Sequence, residues 1–558
     1  MRTLCLLTLI ASTACKRAPN AAPEPVVEVP SKCGIQPDGT RTFRVLHIND
    51  VYRIEGLADG RGGLDRVRTL RAHLEADCPG AVLLTHAGDA LYPSLISQKR
   101  NGEQMVAVLN LMDGSSELAD PLMFATFGNH EFDKYKLKYS PILQSRIGES
   151  QFTWLDTNIA WAEGENGPLI SGSNLKDEAL LEVGGVKVGL FSISTNAVTP
   201  AYAAHIDTDY AGVARTRVAD LREQGAEYVI ALTHLDATQD MSVLQDLGDS
   251  APDLILGGHD HSLFSAELDG RAILKGDADA TRVRTVEVSV GPSGAVSWTA
   301  DTTGVPLNPN THAGDPAVRA EIDAQIASFT AEFCEGKSPT CLSEELTIAG
   351  TDWVAEETTI RRFETNVGNL AADLMVDSFP DANIAFINSG ALRLNQNIPK
   401  NTPITRQIVE ELLIYGGEMH HVQVSGATLR AVLERSVQDW TGQGHWLQVS
   451  GIAFEHAPDT NGVGRVVVLT PDGPVALDPK TMYDVVTVRF LLDKSMGNQD
   501  GYTMLSMDQV VEDPNNGKTL KDKVFAALEA AGSSGVGPVV DGRICNVGQS
   551  DRCQVPAE

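Results

Sequence analysis

Basic charge is scarce in this chain: 44 lysines and arginines stand against 74 aspartates and glutamates, a net charge of −30. So acidic a surface repels nucleic acid polymers and anionic membranes at long range, which argues against a duplex-binding function. An anionic small molecule is not excluded, because bound cations or a few arginines invert the field inside one cleft. Long apolar runs are missing too. The run Leu4 to Ile10 is too short to span a bilayer, and 42% hydrophobic with 21% charged residues is an ordinary globular composition. No CxxC pair occurs, so nothing points to cysteine-ligated zinc. There is no internal repeat, and the one compositionally biased stretch is the Pro/Ala-rich segment from Lys16 to Pro30.

What is present begins with an export pattern. Arg2, the apolar run and Ser12-Thr13-Ala14-Cys15 have the charge, length and small residues of a signal peptide. The small residues before Cys15 resemble a lipoprotein processing site, which implies a membrane attachment through lipid on that cysteine and a periplasmic or cell-surface location. Six further cysteines are expected to form disulfides in an oxidising compartment. Local spacing suggests Cys334 with Cys341 and Cys545 with Cys553, leaving Cys33 with Cys78, although six cysteines allow 15 pairings.

From about residue 42 to 300, short β-rich runs alternate with helical patterns, the mark of a layered α/β domain. Predicted strands are Phe43–Ile48, Ala81–Thr85, Leu122–Phe127, Val186–Ile193, Tyr228–Thr233 and Asp253–Leu256. Leu64, Val67, Leu70 and Leu74 predict one helix, and 315–333 reads as an amphipathic connecting helix behind an acidic cap. A second unit follows, with a predicted helix at Asn369–Phe379 and strands at Val466–Leu469 and Tyr483–Phe490.

Five of the strands each run into metal-ligand types: Asn49-Asp50-Val51-Tyr52, Gly88-Asp89, Gly128-Asn129-His130-Glu131, Thr233-His234 and Gly258-His259-Asp260-His261. Loops beyond the carboxyl ends of strands are where open α/β sheets hold ligands. A bridging carboxylate with imidazoles and an amide oxygen is the donor set for two divalent ions about 3.5–4 Å apart. His47, His86 and His205 are read as structural.

The order of these clusters resembles the calcineurin-like metallophosphoesterases, and GNHEFD resembles their 5'-nucleotidase branch. The resemblance implies an N-terminal αββα sandwich and an α+β substrate domain. It places a leader at 1–14, a tether at 15–40, the sandwich at 41–312, a linker at 313–344, the substrate domain at 345–547 and a tail at 548–558. It further implies that Asp50 and His261 bind one ion, that Asp89 bridges, and that Asn129, His234 and His259 hold the other. The ions would be of the Zn, Mn, Co or Mg class. His130, oriented by Asp133, would stabilise the transition state or protonate the leaving group.

Tyr52 departs from the family, which usually has histidine there. Two ions with the first held more weakly, tyrosinate ligation of iron by Tyr52 or Tyr92, and simple packing of Tyr52 all remain open. In the second unit, Arg361, Arg362, Asn388, Gly390, Arg393 and Asp500 resemble substrate-contacting positions, and Tyr415 and Phe490 resemble the rings that sandwich a base. The implied activity is hydrolysis of nucleoside 5'-monophosphates outside the cytoplasm. A UDP-sugar or 2',3'-cyclic-nucleotide phosphoesterase, a nucleotide-binding protein without chemistry, and a thiohydrolase of similar architecture are the rivals. The expected partner is a small nucleotide, with no nucleic acid polymer and no protein partner.

Overall fold

Two stacked sheets form the first unit because its strands are apolar on both faces. In the computed structural model, which describes residues 32–115, 117–438, 442–496, 499–512, 516–550 and 552–556, Phe43 and Val45 of strand Arg41–Ile48 face Val188, Ile230 and Leu232 of the opposite sheet. Leu46 and Ile48, on the other face, pack beneath Leu64, Val67 and Leu70 of helix Leu64–Asp77. The alternation recurs in the second sheet, where Val229 and Ala231 meet Val218 and Leu221 of helix Tyr210–Glu223. The result is the helix, sheet, sheet, helix layering expected from strands without a polar face.

The first sheet runs Val296–Ala300, Arg282–Val290, Arg41–Ile48, Val82–His86, Met123–Thr126, Thr153–Leu155, Leu175–Lys176. The second runs Glu178–Val183, Val186–Ser194, Tyr228–His234, Leu254–Gly257, Arg271–Lys275, Phe264–Leu268. Arg41–Ile48, Val82–His86 and Met123–Thr126 are mutually parallel, as are Val186–Ser194, Tyr228–His234 and Leu254–Gly257. Their carboxyl ends therefore lie along one edge of the sandwich. His47 ties the sheets near that edge, its ring nitrogens 2.9 Å from Thr85 Oγ1 and 3.1 Å from Gly257 O.

The second unit has a four-stranded sheet in the order Met419–Ser425, Met482–Val488, Ile384–Asn388, Leu447–Ser450, and a second one in the order Gly473–Ala476, Gly462–Thr470, Ile452–Ala457, Ile544–Asn546. Helix Asn366–Val376 packs on the first of these over the unit's main apolar core, and a small separate cluster of Ala453, Val467 and Val555 lies on the second sheet.

Several expectations shift. Helix Pro316–Phe333 is anchored on the sandwich, where Val318 and Ile322 sink into the core beside helix Leu64–Asp77, while Ile326 and Phe329 line a cavity that also meets Gln407 and Glu411 of the second unit. The segment taken as tether is already structured from Cys33, since Gly34–Ile35 pairs with Arg41–Ile48 and Cys33 is bonded to Cys78. Cys334–Cys341 and Cys545–Cys553 are the other disulfides, and the last of these ties down the tail. Phe490 lies in the short helix Arg489–Leu492 rather than on a strand. The leader and Cys15 fall outside the described residues. Among those described, no helix is long and apolar enough to cross a membrane.

Candidate metal centre

Each ligand-type side chain sits where a parallel strand ends. Asp50 follows Arg41–Ile48, Asp89 follows Val82–His86, Asn129 follows Met123–Thr126, His234 closes Tyr228–His234, and His259 and His261 follow Leu254–Gly257. The backbone there is turned hard. Asp50, Asp89, His259 and His261 adopt φ of 51°, 58°, 79° and 58°, a left-handed region that non-glycine residues occupy at a cost and that concentrates at functional sites. Gly258 allows the turn, because a Cβ at that position would stand 2.6 Å from Ala87 O and 2.9 Å from Asp50 Oδ2.

These turns aim the donors at one another. Asp50, Asp89 and His261 each offer an atom within 4.8 Å of the others, and all three are buried. The Tyr52 hydroxyl joins them, 2.8 Å from His261 Nε2, 3.1 Å from Asp89 Oδ2 and 3.4 Å from Asp50 Oδ1. His261 Nδ1 faces the Glu357 carboxylate at 2.9 Å, while its Nε2 points into the cluster, 3.3 Å from Asp50 Oδ1. Two carboxylates, an imidazole nitrogen and a phenol oxygen thus converge. Such a donor set is satisfied by a cation.

On the far side of Asp89, His234 Nε2 and Asn129 Oδ1 are buried without a hydrogen-bond partner. His234 Nε2 is 3.4 Å from Asp89 Oδ2 and its ring centroid 5.0 Å from that of His259. Burial would lower the His234 pKa, but Asp89 and Asp50 outweigh it and push the value up to about 10. The field that holds that proton is the field that draws a metal ion. The residues present therefore fit a two-cation centre sharing Asp89. Tyr92, the other tyrosine considered, hydrogen-bonds Asn101 at 3.3 Å, so Tyr52 is the tyrosine placed within the donor cluster.

Four supporting residues had no assigned role in the sequence. Glu131, counted there among ligand types, accepts the backbone N–H groups of Gly128, Asp89, Ala90 and Leu91 at 2.6–2.9 Å and so shapes the turn that presents Asp89. Lys275 is buried and donates to Leu235 O at 2.6 Å and Gly258 O at 3.0 Å, while pairing with Asp240 and Asp260. It thereby pins the two loops that carry His234 and His259. Asp279 accepts from the N–H groups of Tyr52 and Arg53. Glu357, from the second unit, meets His261 and pairs with Arg361. Glu131 adjoins the GNH motif and was within reach of inspection; the other three carried no local signal.

The second unit closes over the centre, leaving a cleft of about 510 Å³, within the range of small-molecule sites. His130 Nδ1 is 2.9 Å from Asp133 Oδ1, and Arg393 Nη2 donates towards His130 Nε2 across 3.0 Å. Burial pulls the His130 pKa down, yet Asp133 and Asp89 hold it above the ordinary histidine value. Arg361, Asn388, Gly390, Arg393, Tyr415, Phe490 and Asp500 all line the cleft, whereas Arg362 does not. Its guanidinium lies instead beside Gly442, so Arg361 is the member of the pair that faces the site. Asn388 donates to Asp500 Oδ2 at 2.8 Å, and Arg393 lies over the Tyr415 ring at 5.9 Å.

Comparison with known proteins agrees with this architecture. Residues 43–263 match the calcineurin-like phosphoesterase family and residues 347–507 match the 5'-nucleotidase C-terminal domain. The 5'-nucleotidase of Rattus norvegicus is 26% identical over 548 residues, covering 90% of both chains. The trifunctional nucleotide phosphoesterase YfkN of Bacillus subtilis is 22% identical over 91% of this chain, which spans 35% of that protein's length. A 5'-nucleotidase precursor from Thermus thermophilus shares the fold with a TM-score of 0.73 and 22% identity, over 91% of this chain and 100% of that one.

Proposed function

The chain belongs to the calcineurin-like phosphoesterases that carry a 5'-nucleotidase C-terminal domain, and from that membership we propose that this phosphoric ester hydrolase is an extracytoplasmic 5'-nucleotidase releasing nucleoside and phosphate. The observation that carries the reading is the Arg393 to His130 contact at 3.0 Å. It supports a single cleft in which phosphate-recognising and proton-handling groups share one face with the metal donors.

A bound cation pair would polarise the phosphoryl group and supply a water ionised at neutral pH. Asp50, Tyr52 and His261 would hold one ion, Asn129, His234 and His259 the other, with Asp89 between them. Arg361 and Arg393 suit phosphoryl oxygens, which guanidinium groups grip in bidentate fashion. His130, with Nδ1 held by Asp133, would act as acid or charge stabiliser through Nε2 once Arg393 turns from that nitrogen to the phosphoryl group and Nε2 takes up a proton, where a positioned acid lowers the barrier. Tyr415 and Phe490 offer faces on which a flat base stacks, and Asn388 and Asp500 offer polar edges for base or ribose. The polar contacts across the junction between the units, Arg53 with Arg393 O, Leu394 O and Glu411 and Asn395 with Asp279, would permit opening for product release. Three disulfides support an oxidising compartment, and the lipid at Cys15 remains part of the proposal.

The test is phosphate release from AMP, UDP-glucose and 2',3'-cAMP, side by side, on protein of measured metal content. Preferential release from AMP upholds the reading. Preference for either other ester replaces it with the corresponding rival. Nucleotide binding without phosphate release from any ester, in metal-loaded protein, would sink catalysis itself. Iron at one atom per chain with a visible charge-transfer band, lost in Tyr52→Phe, would identify a tyrosinate-bound ferric ion at the first position.

A further inference from the structure

His234 and His261, whose Nε2 atoms lie 3.9 and 3.3 Å from Asp50 Oδ1, are held from behind by different parts of the molecule. His234 is oriented inside the sandwich, with Nδ1 2.6 Å from Ala87 O. His261 is oriented from outside it: Glu357 Oε1, 2.9 Å from Nδ1, comes from helix Glu357–Ile360 of the second unit. The 2.9 Å approach is an ion-pair contact, and it sets a carboxylate directly behind the ring, on the side away from Asp50 and Asp89. Glu357 is buried and pairs with Arg361, and Arg393 Nη1 lies 3.8 Å away. One carboxylate thus joins a sandwich imidazole to two guanidinium groups of the substrate-binding unit.

The surrounding junction explains how Glu357 reaches that place. Arg53 Nη2 donates to Arg393 O and Leu394 O at 3.2 and 2.9 Å, and Arg53 Nη1 pairs with Glu411 at 3.2 Å. Asn395 donates to Asp279 Oδ2 at 3.2 Å, and its own Oδ1 accepts the Glu357 N–H at 3.2 Å. Separating the units would break these contacts and withdraw the carboxylate from His261.

We propose that Glu357 is a positioning residue through which the substrate domain tunes the first metal position, so that ion affinity there depends on closure of the two units. The inference rests on the metal reading of the site and goes beyond it. Carboxylates behind a ligating imidazole fix its orientation and raise its basicity, and their loss costs about 10–100-fold in metal affinity. Linkage is reciprocal, so an ion that binds better in the closed arrangement favours closure by the same factor.

The experiment compares Mn²⁺ binding to wild type, Glu357→Gln and Glu357→Asp by isothermal titration calorimetry, with small-angle scattering before and after Mn²⁺. Wild type should bind two ions and become more compact. In Glu357→Gln one ion should weaken by about 10–100-fold while the other is unchanged, and the compaction should disappear; Glu357→Asp should recover part of both. Arg53→Gln leaves Glu357 and His261 in place but loosens the junction, and should weaken the same ion by a smaller factor. It keeps the idea testable should Glu357→Gln unfold. Two ions bound by Glu357→Gln and by Arg53→Gln as tightly as by wild type would overturn the proposal and leave the metal reading standing. Wild type that binds no divalent ion would overturn both.

Discussion

His234 and His261 approach the same carboxylate, Asp89, yet the supports behind them differ in kind. Around His234 and His259 the groups that hold the backbone and the His234 ring belong to the sandwich: Ala87 O, the buried Lys275 on loops 235 and 258, and Glu131 on the Asp89 turn; the second unit reaches only the outer carboxylates Asp236 and Asp260, through Gln443 at 3.2 and 3.3 Å. Around His261 and Tyr52 the second unit intervenes, through Glu357 on the imidazole and Arg393 over the Tyr52 ring at 5.7 Å. A half-site supported by its own sheet keeps its geometry whenever that sheet is folded. A half-site completed by another domain responds to where that domain stands, which is a route by which substrate could govern the metal centre.

The sharpest way to break this comparison is to remove what the halves share. Asp89→Asn should lower the ion content by at least one per chain and reduce phosphate release by about 10³-fold or more, since several kcal/mol of charge stabilisation are lost; near-normal turnover would deny Asp89 the bridging position. His130→Ala should leave both ions bound but cut turnover by about 10²–10⁴-fold. Single-turnover kinetics with metal analysis would separate these two variants, and ion loss in His130→Ala would merge them.

Lys275→Met addresses the sandwich half alone. It strips the cation from buried Asp240 and Asp260, a change that costs about 3–5 kcal/mol, measurable by urea unfolding. The ion at His234 and His259 should weaken while the one at His261 holds; equal weakening of the two would erase the distinction between the halves.

Acid stability tests the comparison least directly, since it reads the sandwich as a whole. Burial, as the leading cause, pushes the pKa values of His47 and His86 down to about 3. The unfolded chain takes up these protons below its ordinary histidine value of about 6.5, and the native sandwich does not. The stability they contribute is therefore present above that pH and lost as pH falls towards 3, by up to about 1.4 kcal/mol per pH unit for each. Asp156 works the opposite way: burial raises its pKa to about 6, so it adds stability as pH falls from about 6 to 4. Chelator-treated protein should lose urea resistance between pH 7 and 5, and less so in His47→Gln; a flat profile would mean that these rings are hydrated.

Much of the site was legible because its pattern is local. An apolar strand followed at once by Asp50, Asp89, Asn129, His234 or His259 is visible in a few residues, and parallel strands bring such ends together. Arg361, Asn388, Arg393 and Asp500 were found by likeness to family motifs, and the cleft gathers them. Tyr52 could not be read in advance, since the choice between packing and a place among the donors turned on where one hydroxyl points. The choice between Arg361 and Arg362 was open for a similar reason: adjacent residues at a helix end face different ways, and Arg361 is the one that lines the cleft.

Strand and helix identity, the two-unit division and the residue types gathered at the candidate metal site were set by the sequence itself, because periodicity and strand-end clustering act over short distances along the chain. Tertiary structure alone decided that Glu357 stands behind His261, that Lys275 holds two loops at once, and that helix Pro316–Phe333 lies on the sandwich. Those contacts join residues far apart in sequence, and a buried charge finds its partner only when the chain has brought the two together and excluded water from between them.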